Sequence, residues 1–261
     1  MDVRYRAVIL DLGHTVWGWP DDTDAGPALE RSYRAVAERL HQAFPGARIP
    51  DPEALRRAVG DALKAEHEGF LRRNAGLLEG GRWDDGLLKQ PRTEALYRGL
   101  LRDAAGVEPD DELLAWVIDT SLSAEIELLR VDPDGVEAVR ALHAAGVRLG
   151  AVTNTYQTER GIRRALRAHG LEAFFSALVV SAEVGCRKPH PGLYRAAAEQ
   201  LHVRPQDCLF VGDRVLEDVR GPQAVGMKAA LCHRWRQEPP GDAPDYVIER
   251  LSDLPGIVLG V

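Results

Sequence analysis

Ala7-Val-Ile-Leu-Asp11 is a short apolar run that ends in a carboxylate. The run predicts a buried strand, and Gly13 marks the loop that begins just after it. A second apolar run, Cys208-Leu-Phe-Val211, is followed in the same way by Gly212-Asp213. Each predicted strand therefore delivers an acidic side chain to the loop at its carboxyl end.

After Pro133, predicted strands alternate with predicted helices. The expected strands are 148–153, 178–181, 208–211, 227–232 and 246–248, and the expected helices are 135–145, 158–169, 191–201 and 219–225. Alternation of this kind predicts an α/β fold with a doubly wound parallel sheet. Because ligands of such sheets bind beyond the carboxyl ends of the strands, Asp11, Thr153 and Asp213 should converge on one crevice.

Residues 26–129 have a different character, with apolar positions at helical spacing and no convincing strand. Helix starts are predicted at Asp51-Pro52, at Pro91-Arg92 and at Pro109-Asp110. With a first helix around Tyr33, they form a block of about four helices. The block separates segments that must meet at one site, so we expect it to be an insert into the sheet domain.

The composition is that of a globular protein, with 261 residues of which 45% are hydrophobic and 28% charged. The net charge of −7 argues against a nucleic-acid partner, which requires a basic surface. Three cysteines without metal-type spacing fit a reducing cytosol. Because the sequence has neither a signal-peptide pattern nor an apolar run of about 18 residues, we expect a cytoplasmic protein with no membrane partner.

The carboxylates suggest nucleophilic and metal chemistry. Asp11 at the end of a strand could attack phosphorus and form an aspartyl-phosphate, although a lone aspartate there is often an ordinary turn residue. Asp213 and Asp218 supply the hard oxygen ligands that Mg²⁺ prefers, and the alternative is that both belong to a helix N-terminus. The expected metal ligands are Asp11, Asp213 and the backbone carbonyl of Gly13, with Asp218 holding a water molecule on the metal.

Other polar residues near these segments have both a functional and an ordinary interpretation. Thr153 and Asn154 could bind phosphate oxygens or could cap the following helix. Lys188 could balance the charge of the nucleophile and the phosphoryl group, or be a solvated loop cation. His14 and His190 could transfer protons near neutral pH, although most loop histidines have no such role.

The chain resembles the haloacid dehalogenase-like superfamily of hydrolases, on segments that include Thr153-Asn154 and Lys188-Pro189. The other matching segments are Asp11-Leu-Gly-His-Thr15, Gly212-Asp213 with Asp218-Val-Arg-Gly221, and Ala224-Val-Gly-Met227.

This resemblance implies a Rossmann-like core over residues 1–20 and 130–261 and a helical cap of the C1 kind over residues 21–129. The cap would close over the site and select the substrate.

The resemblance also implies the roles of site residues. Asp11 would be the nucleophile, Thr153 the phosphate-binding hydroxyl, Lys188 the charge-balancing lysine and Asp213 a metal ligand. The implied activity is that of a Mg²⁺-dependent phosphatase on a small phosphorylated metabolite. Asn154 and His14 are the candidate substrate-binding residues.

Gly13 departs from the family pattern, because family phosphatases usually have an aspartate at this position that protonates the leaving oxygen. Two alternatives therefore stay open: a catalytically impaired phosphate-binding or regulatory protein, and a metal-independent 2-haloacid dehalogenase. Arg82 and Trp83 lie between predicted helices of the cap and either reach toward the site or form an exposed turn.

Overall fold

The computed structural model describes residues 3–20, 24–78, 88–241 and 243–260. Its strands are β1 (Ala7–Leu10), β2 (Trp17–Gly18), β3 (Arg130–Val131), β4 (Arg148–Thr153), β5 (Phe175–Val180), β6 (Cys208–Gly212), β7 (Lys228–Cys232) and β8 (Tyr246–Ile248). Six of them form one sheet in the order β5-β4-β1-β6-β7-β8. All neighbouring strands of this sheet are parallel, which confirms the predicted α/β fold.

The described helices cover both faces of the sheet and form a separate block between β2 and β3. They are α1 (Gly26–Ala43), α2 (Pro52–Arg73), α3 (Ala75–Leu78), α4 (Thr93–Ala105), α5 (Asp111–Ser121), α6 (Ser123–Glu127), α7 (Pro133–Ala144), α8 (Glu159–Ala168), α9 (Ser181–Val184), α10 (Pro191–Gln200), α11 (Gly221–Gln223) and α12 (Leu254–Leu259). A π-helical turn spans Val215–Arg220. Within the described ranges, no helix combines the length and the apolar character needed to cross a membrane.

β1 lies at the centre of the sheet, between β4 and β6. The chain runs outward from β1 through β4 to β5, and then builds β6, β7 and β8 on the opposite side. This reversal leaves a crevice at the carboxyl ends of β1 and β6, where doubly wound sheets bind their ligands.

Both faces of the sheet are buried, as expected for parallel strands covered by helices. Val8 and Leu10 of β1 belong to one hydrophobic core, to which α7 and α12 also contribute. Ala7 and Ile9 face the opposite core, which is completed largely by α10. Because successive side chains of a strand point to opposite faces, a run of four apolar residues is what such a strand requires.

The helical block has its own hydrophobic core. The four predicted helices correspond to α1, α2, α4 and α5, and two short helices accompany them. Asp51 and Asp110 cap α2 and α5, each accepting a backbone N–H bond at 2.8 Å, as the predicted helix starts indicated. The largest fully buried side chains of this core are Tyr97, Leu40, Leu55, Leu101 and Leu114.

The two ends of the helical block lie side by side, because β2 and β3 pair as a short antiparallel ribbon. In this ribbon Trp17 is opposite Val131 and Gly18 is opposite Arg130. The chain thus leaves the sheet region and returns to it at one place.

Two predicted elements start three or four residues away from the observed element, whereas the others differ by at most two residues. The strand expected at 178–181 is Phe175–Val180, and Ser181 is the first residue of α9. The Ser181 hydroxyl accepts a hydrogen bond from the backbone N–H of Thr155 and so belongs to the loop after β4 rather than to the ladder. The helix expected at 219–225 starts earlier, as the π-helical turn Val215–Arg220, and continues into α11. The Asp218 carboxylate accepts hydrogen bonds from the backbone N–H groups of Asp213 and Arg214 and so stabilises this early turn.

Candidate active site

Asp11 lies directly after β1, at the crevice, and is buried. Its backbone N–H donates to the carbonyl of Val211 at 2.8 Å, which extends the pairing with β6 by one residue. Its carboxylate oxygen Oδ1 accepts a hydrogen bond from Lys188 Nζ at 2.7 Å. The end of the strand and a distant lysine therefore fix this carboxylate together.

Lys188 is only 1% exposed, so it is not a solvated loop cation. Nζ donates to Oδ1 of Asp11 and to Oδ1 of Asp218, in both cases at 2.7 Å. Burial would by itself lower the pKa of Lys188, but the carboxylates of Asp11, Asp218 and Glu217 outweigh it and raise that pKa above its ordinary value. The lysine is thus a fixed, permanently charged partner of the nucleophile candidate.

Asn154 holds the backbone that carries Lys188. Its Oδ1 accepts from the backbone N–H of Lys188 at 2.8 Å, and its Nδ2 donates to the carbonyl of the same residue at 3.2 Å. Nδ2 also lies 3.1 Å from Oε2 of Glu217. These contacts explain how a loop lysine reaches a defined position beside a strand end.

Asp11, Asp213 and Asp218 form a cluster of three buried carboxylates, each with an oxygen within 4.8 Å of the other two. Burial raises the pKa of Asp11 above its ordinary value; Lys188 opposes this rise, and the neighbouring carboxylates add to it. Burial, and then the charge of Asp218, likewise raise the pKa of Asp213 to about 6. Oxygen ligands with unbalanced negative charge suit a hard divalent cation, so the residues present fit Mg²⁺.

Asp218 has both carboxylate oxygens engaged by the protein. Oδ1 accepts from Lys188, and Oδ2 accepts from the backbone N–H groups of Asp213 and Arg214 at 3.1 and 3.0 Å. A Cβ on Gly212 would collide with the Asp218 side chain, so glycine is required there for this close approach. Asp218 therefore links Lys188 to the loop that carries Asp213. The spacing of residues in the motif did not predict this role.

Arg236 adds a cation beside the cluster, because its Nε donates to Oδ2 of Asp213 at 2.5 Å. Sequence reasoning missed this residue, which follows β7 in a loop with no motif of its own. The hydrogen bond from Arg236, and to a smaller extent its charge, lower the pKa of Asp213 and so partly oppose the effect of burial.

Thr153, His14 and Gly13 line a cavity of about 420 Å³ at the crevice. Thr153 is the last residue of β4, and the cap of α8 is Thr158, so the helix-cap interpretation of Thr153 is wrong. His14 has a φ of 58° and packs 5.4 Å from the ring of Trp19. Burial, then the charges of Arg236 and Arg214, lower the pKa of His14.

Gly13 also lines this cavity, and a Cβ there would meet only the Trp19 ring, at 3.9 Å. Its φ does not lie in the left-handed region, so a side chain would fit at this position without backbone strain. His190, by contrast, is the N-cap residue of α10, where its Nδ1 accepts from the backbone N–H of Gly192. Arg82 and Trp83 lie outside the described residues.

The helical block forms one wall of the cavity. His67, Phe70, Leu71 and Asn74 of α2 face the carboxylate cluster across it. Sequence reasoning gave no signal for these residues, because their helical spacing is the ordinary pattern of a packed helix. Arg187 also lines the cavity, and the only sequence signal for it was its place next to Lys188.

Comparisons with known proteins agree with this geometry. The sequence profile of the haloacid dehalogenase-like hydrolases matches residues 5–226. Glyceraldehyde 3-phosphate phosphatase of Methanopyrus kandleri is 32% identical over 167 residues, which are 61% of this chain and 70% of that protein. Phosphoserine phosphatase of Thermus thermophilus is 28% identical over 256 residues, which are 97% of this chain and 91% of that protein.

Among solved structures, a 2-haloacid dehalogenase from Pseudomonas syringae covers 97% of both chains with a TM-score of 0.60. At 23% identity this likeness shows the fold alone. The profile match, in contrast, spans four of the six strands of the large sheet, the helical block, and the segments around Asp11, Thr153, Lys188 and Asp213. The chain therefore belongs to the haloacid dehalogenase-like hydrolase family.

Proposed function

We propose that this hydrolase is a Mg²⁺-dependent phosphatase that acts on a small phosphorylated metabolite through an aspartyl-phosphate on Asp11. The observation that carries the proposal is the buried Asp11 carboxylate, which faces a cavity and contacts Lys188 at 2.7 Å. The two phosphatases that resemble the chain support the same reaction class.

Asp11 is proposed to act as the nucleophile. Lys188 holds Oδ1, and the other oxygen attacks phosphorus, so that a new P–O bond forms while the ester P–O bond breaks. The leaving oxygen departs as an alkoxide or phenolate and takes a proton from water. Water then hydrolyses the acyl phosphate, releasing inorganic phosphate and restoring the carboxylate. The buried ammonium of Lys188 limits the build-up of negative charge when the phosphate dianion approaches.

Asp11, Asp213 and the carbonyl of Gly13 are the proposed ligands of Mg²⁺, which when bound neutralises charge on the phosphoryl group. Asp218, within the same carboxylate cluster, contributes chiefly by fixing Lys188 and the backbone of Asp213. Thr153, buried at the end of β4, would donate its hydroxyl to a phosphate oxygen.

Asn154 and His14 complete the proposed substrate-binding wall. Asn154 acts mainly through Lys188, because its side-chain oxygen and nitrogen already contact that residue. The imidazole of His14 lies near the position where a carboxylate is missing at Gly13, and its lowered pKa favours the neutral form.

The helical block, residues 21–129, is proposed to be a cap that closes over the core. Its separate hydrophobic core and the short ribbon at its two ends support this division. Residues of α2 in the cavity wall would then exclude water and select the substrate.

Hydrolysis of p-nitrophenyl phosphate with Mg²⁺ and with excess chelator tests the proposal. Phosphate release that requires the metal supports it. Halide release from a 2-haloacid without metal would instead support a dehalogenase. Binding of Mg²⁺ or phosphate without turnover would support a regulatory protein.

A further inference from the structure

Arg187 occupies the boundary between the core and the helical block. Its guanidinium carbon lies 5.0 Å from the ring centroid of Phe70 on α2 and 5.9 Å from that of Tyr156 in the core. Its backbone N–H donates to the carbonyl of Leu88 at 2.9 Å. Although it directly precedes Lys188, it lines the part of the cavity that faces the helices.

The guanidinium of Arg187 is buried, and the residues that the structure describes place no anionic partner beside it. The residue is 9% exposed, and its Nε has no hydrogen-bond partner. Nη1 donates to the neutral amide oxygen of Gln90 at 3.3 Å. Within the described part of the chain, no carboxylate lies within 4.0 Å of its nitrogens. The ring contacts and the bond to Gln90 compensate only part of the lost hydration, and a buried cation without a balancing anion is costly.

A second unsatisfied group lies in the same wall. Asn74 is buried, and its Oδ1 has no hydrogen-bond partner. The amide orientation is set by Nδ2, which donates to the carbonyl of Phe70 at 2.7 Å. The cavity wall thus presents an unused charged donor and an unused acceptor.

A purely structural role for Arg187 does not account for these observations. Stacking on Phe70 and the bond to Gln90 would tether the helical block, but Gln90 carries no charge to balance the arginine. Glu217, which also lines the cavity, contacts Asn154 rather than Arg187. A tether alone also leaves Nε and the oxygen of Asn74 unsatisfied.

We propose that Arg187 binds a second anionic group of the substrate, a carboxylate or a second phosphate, while the phosphoryl group lies at Asp11. Asn74 accepts an N–H or O–H from the atoms between the two anions. This inference rests on the proposed phosphatase function and narrows its substrates to small phosphate esters that carry a second anionic group. Since Arg187 and Lys188 are adjacent in the chain and the cavity is about 420 Å³, both anions belong to one small molecule.

Matched pairs of esters test the proposal. O-phosphoserine and O-phosphoethanolamine differ by a carboxylate, and propane-1,3-diol bisphosphate and propyl phosphate differ by a phosphate. In the unmodified protein, kcat/KM for the anionic member of at least one pair should be about 10- to 100-fold higher, the range for a hydrogen bond to a charged group. The pair whose two esters differ in kcat/KM shows whether the second anion is a carboxylate or a phosphate. Equal kcat/KM within both pairs would overturn the proposal.

Arg187→Met should bring the ratio of kcat/KM values within that pair close to one, mainly through a higher KM for the ester that carries the second anion. Arg187→Lys should retain part of the preference, because it keeps the charge but loses the planar fork. Arg39→Met, at an exposed position on α1, is the matched control and should retain the full ratio. A uniform loss on every ester in Arg187→Met would indicate a tether and overturn the proposal.

Calorimetry separates this inference from the proposed function. The Asp11→Asn variant and the double variant Asp11→Asn/Arg187→Met are each titrated with the four esters of the two pairs. Tighter binding of an anionic member that depends on Arg187 supports the inference even if no ester is hydrolysed. Turnover of p-nitrophenyl phosphate together with equal binding within both pairs would overturn the inference and leave the phosphatase assignment standing.

Discussion

Lys188 and Asp218 are joined by a hydrogen bond of 2.7 Å between two side chains that are almost completely buried. The other oxygen of Asp218 accepts backbone N–H bonds from the loop that carries Asp213. Charge balance at the proposed nucleophile and the position of the proposed metal ligand therefore depend on one carboxylate.

Asp218→Asn tests this connection. An amide can still accept from Lys188, but its NH₂ group would face two backbone N–H donors. We expect a loss of about 1–3 kcal/mol in the free energy of unfolding, because buried donors lose their acceptor. Urea denaturation measures it, with exposed Glu38→Gln as the control, which should stay within about 0.5 kcal/mol of the unmodified protein. An unchanged free energy of unfolding in Asp218→Asn would mean that the hydrogen bonds of Asp218 contribute little to stability.

Asp11→Asn should abolish hydrolysis while the fold stays intact. The amide has nearly the shape of the carboxylate but is a very poor nucleophile, so kcat should fall at least about a thousandfold. Phosphate release measures the activity, and circular dichroism checks the fold. Turnover above about a tenth of the original value would exclude Asp11 as the nucleophile.

Asp213→Ala should weaken Mg²⁺ binding and activity together. The Mg²⁺ concentration for half-maximal activity should rise at least about tenfold, since a proposed anionic ligand is lost. Mg²⁺ should also raise the unfolding temperature of the unmodified protein more than that of the variant. The exposed Asp103→Ala is the control for a simple change of net charge. An unchanged metal requirement would assign the ligand to another residue.

Gly13→Asp should increase hydrolysis of an alkyl phosphate more than that of an aryl phosphate. The side chain has room, because the nearest atoms to a Cβ are 3.9 Å away in Trp19. A carboxylic acid could protonate a poor leaving group, an effect of about 10²–10⁴-fold that a phenolate needs less.

Kinetics on both esters measure this effect, and Gly13→Asn controls for size without an acid. If the unmodified protein already turned over both esters equally, another group would supply the proton, and His14→Ala would be the next variant.

Several features were predictable from the sequence because they depend on neighbouring residues. Four apolar residues before Asp11 specify a strand buried on both faces, and alternation after Pro133 specifies a parallel sheet. Asp51 and Asp110 signal helix starts through bonds to N–H groups three residues away. Parallel strands also bring their carboxyl ends to one edge, so Asp11, Thr153 and Asp213 could be placed near one another.

Tertiary structure alone decided the partners of the polar side chains. Lys188 meets Asp11 across 177 positions in the chain, and Asp218 meets Lys188 across 30. A local pattern carries no information on such pairs, so neither the burial of the lysine nor the engagement of both Asp218 oxygens could be read from it. The same holds for Arg187 and Asn74, which reach one cavity wall only after the helical block packs against the sheet. Local propensity thus determined the elements and their order, whereas long-range packing determined which charges are buried together and which are left unpaired.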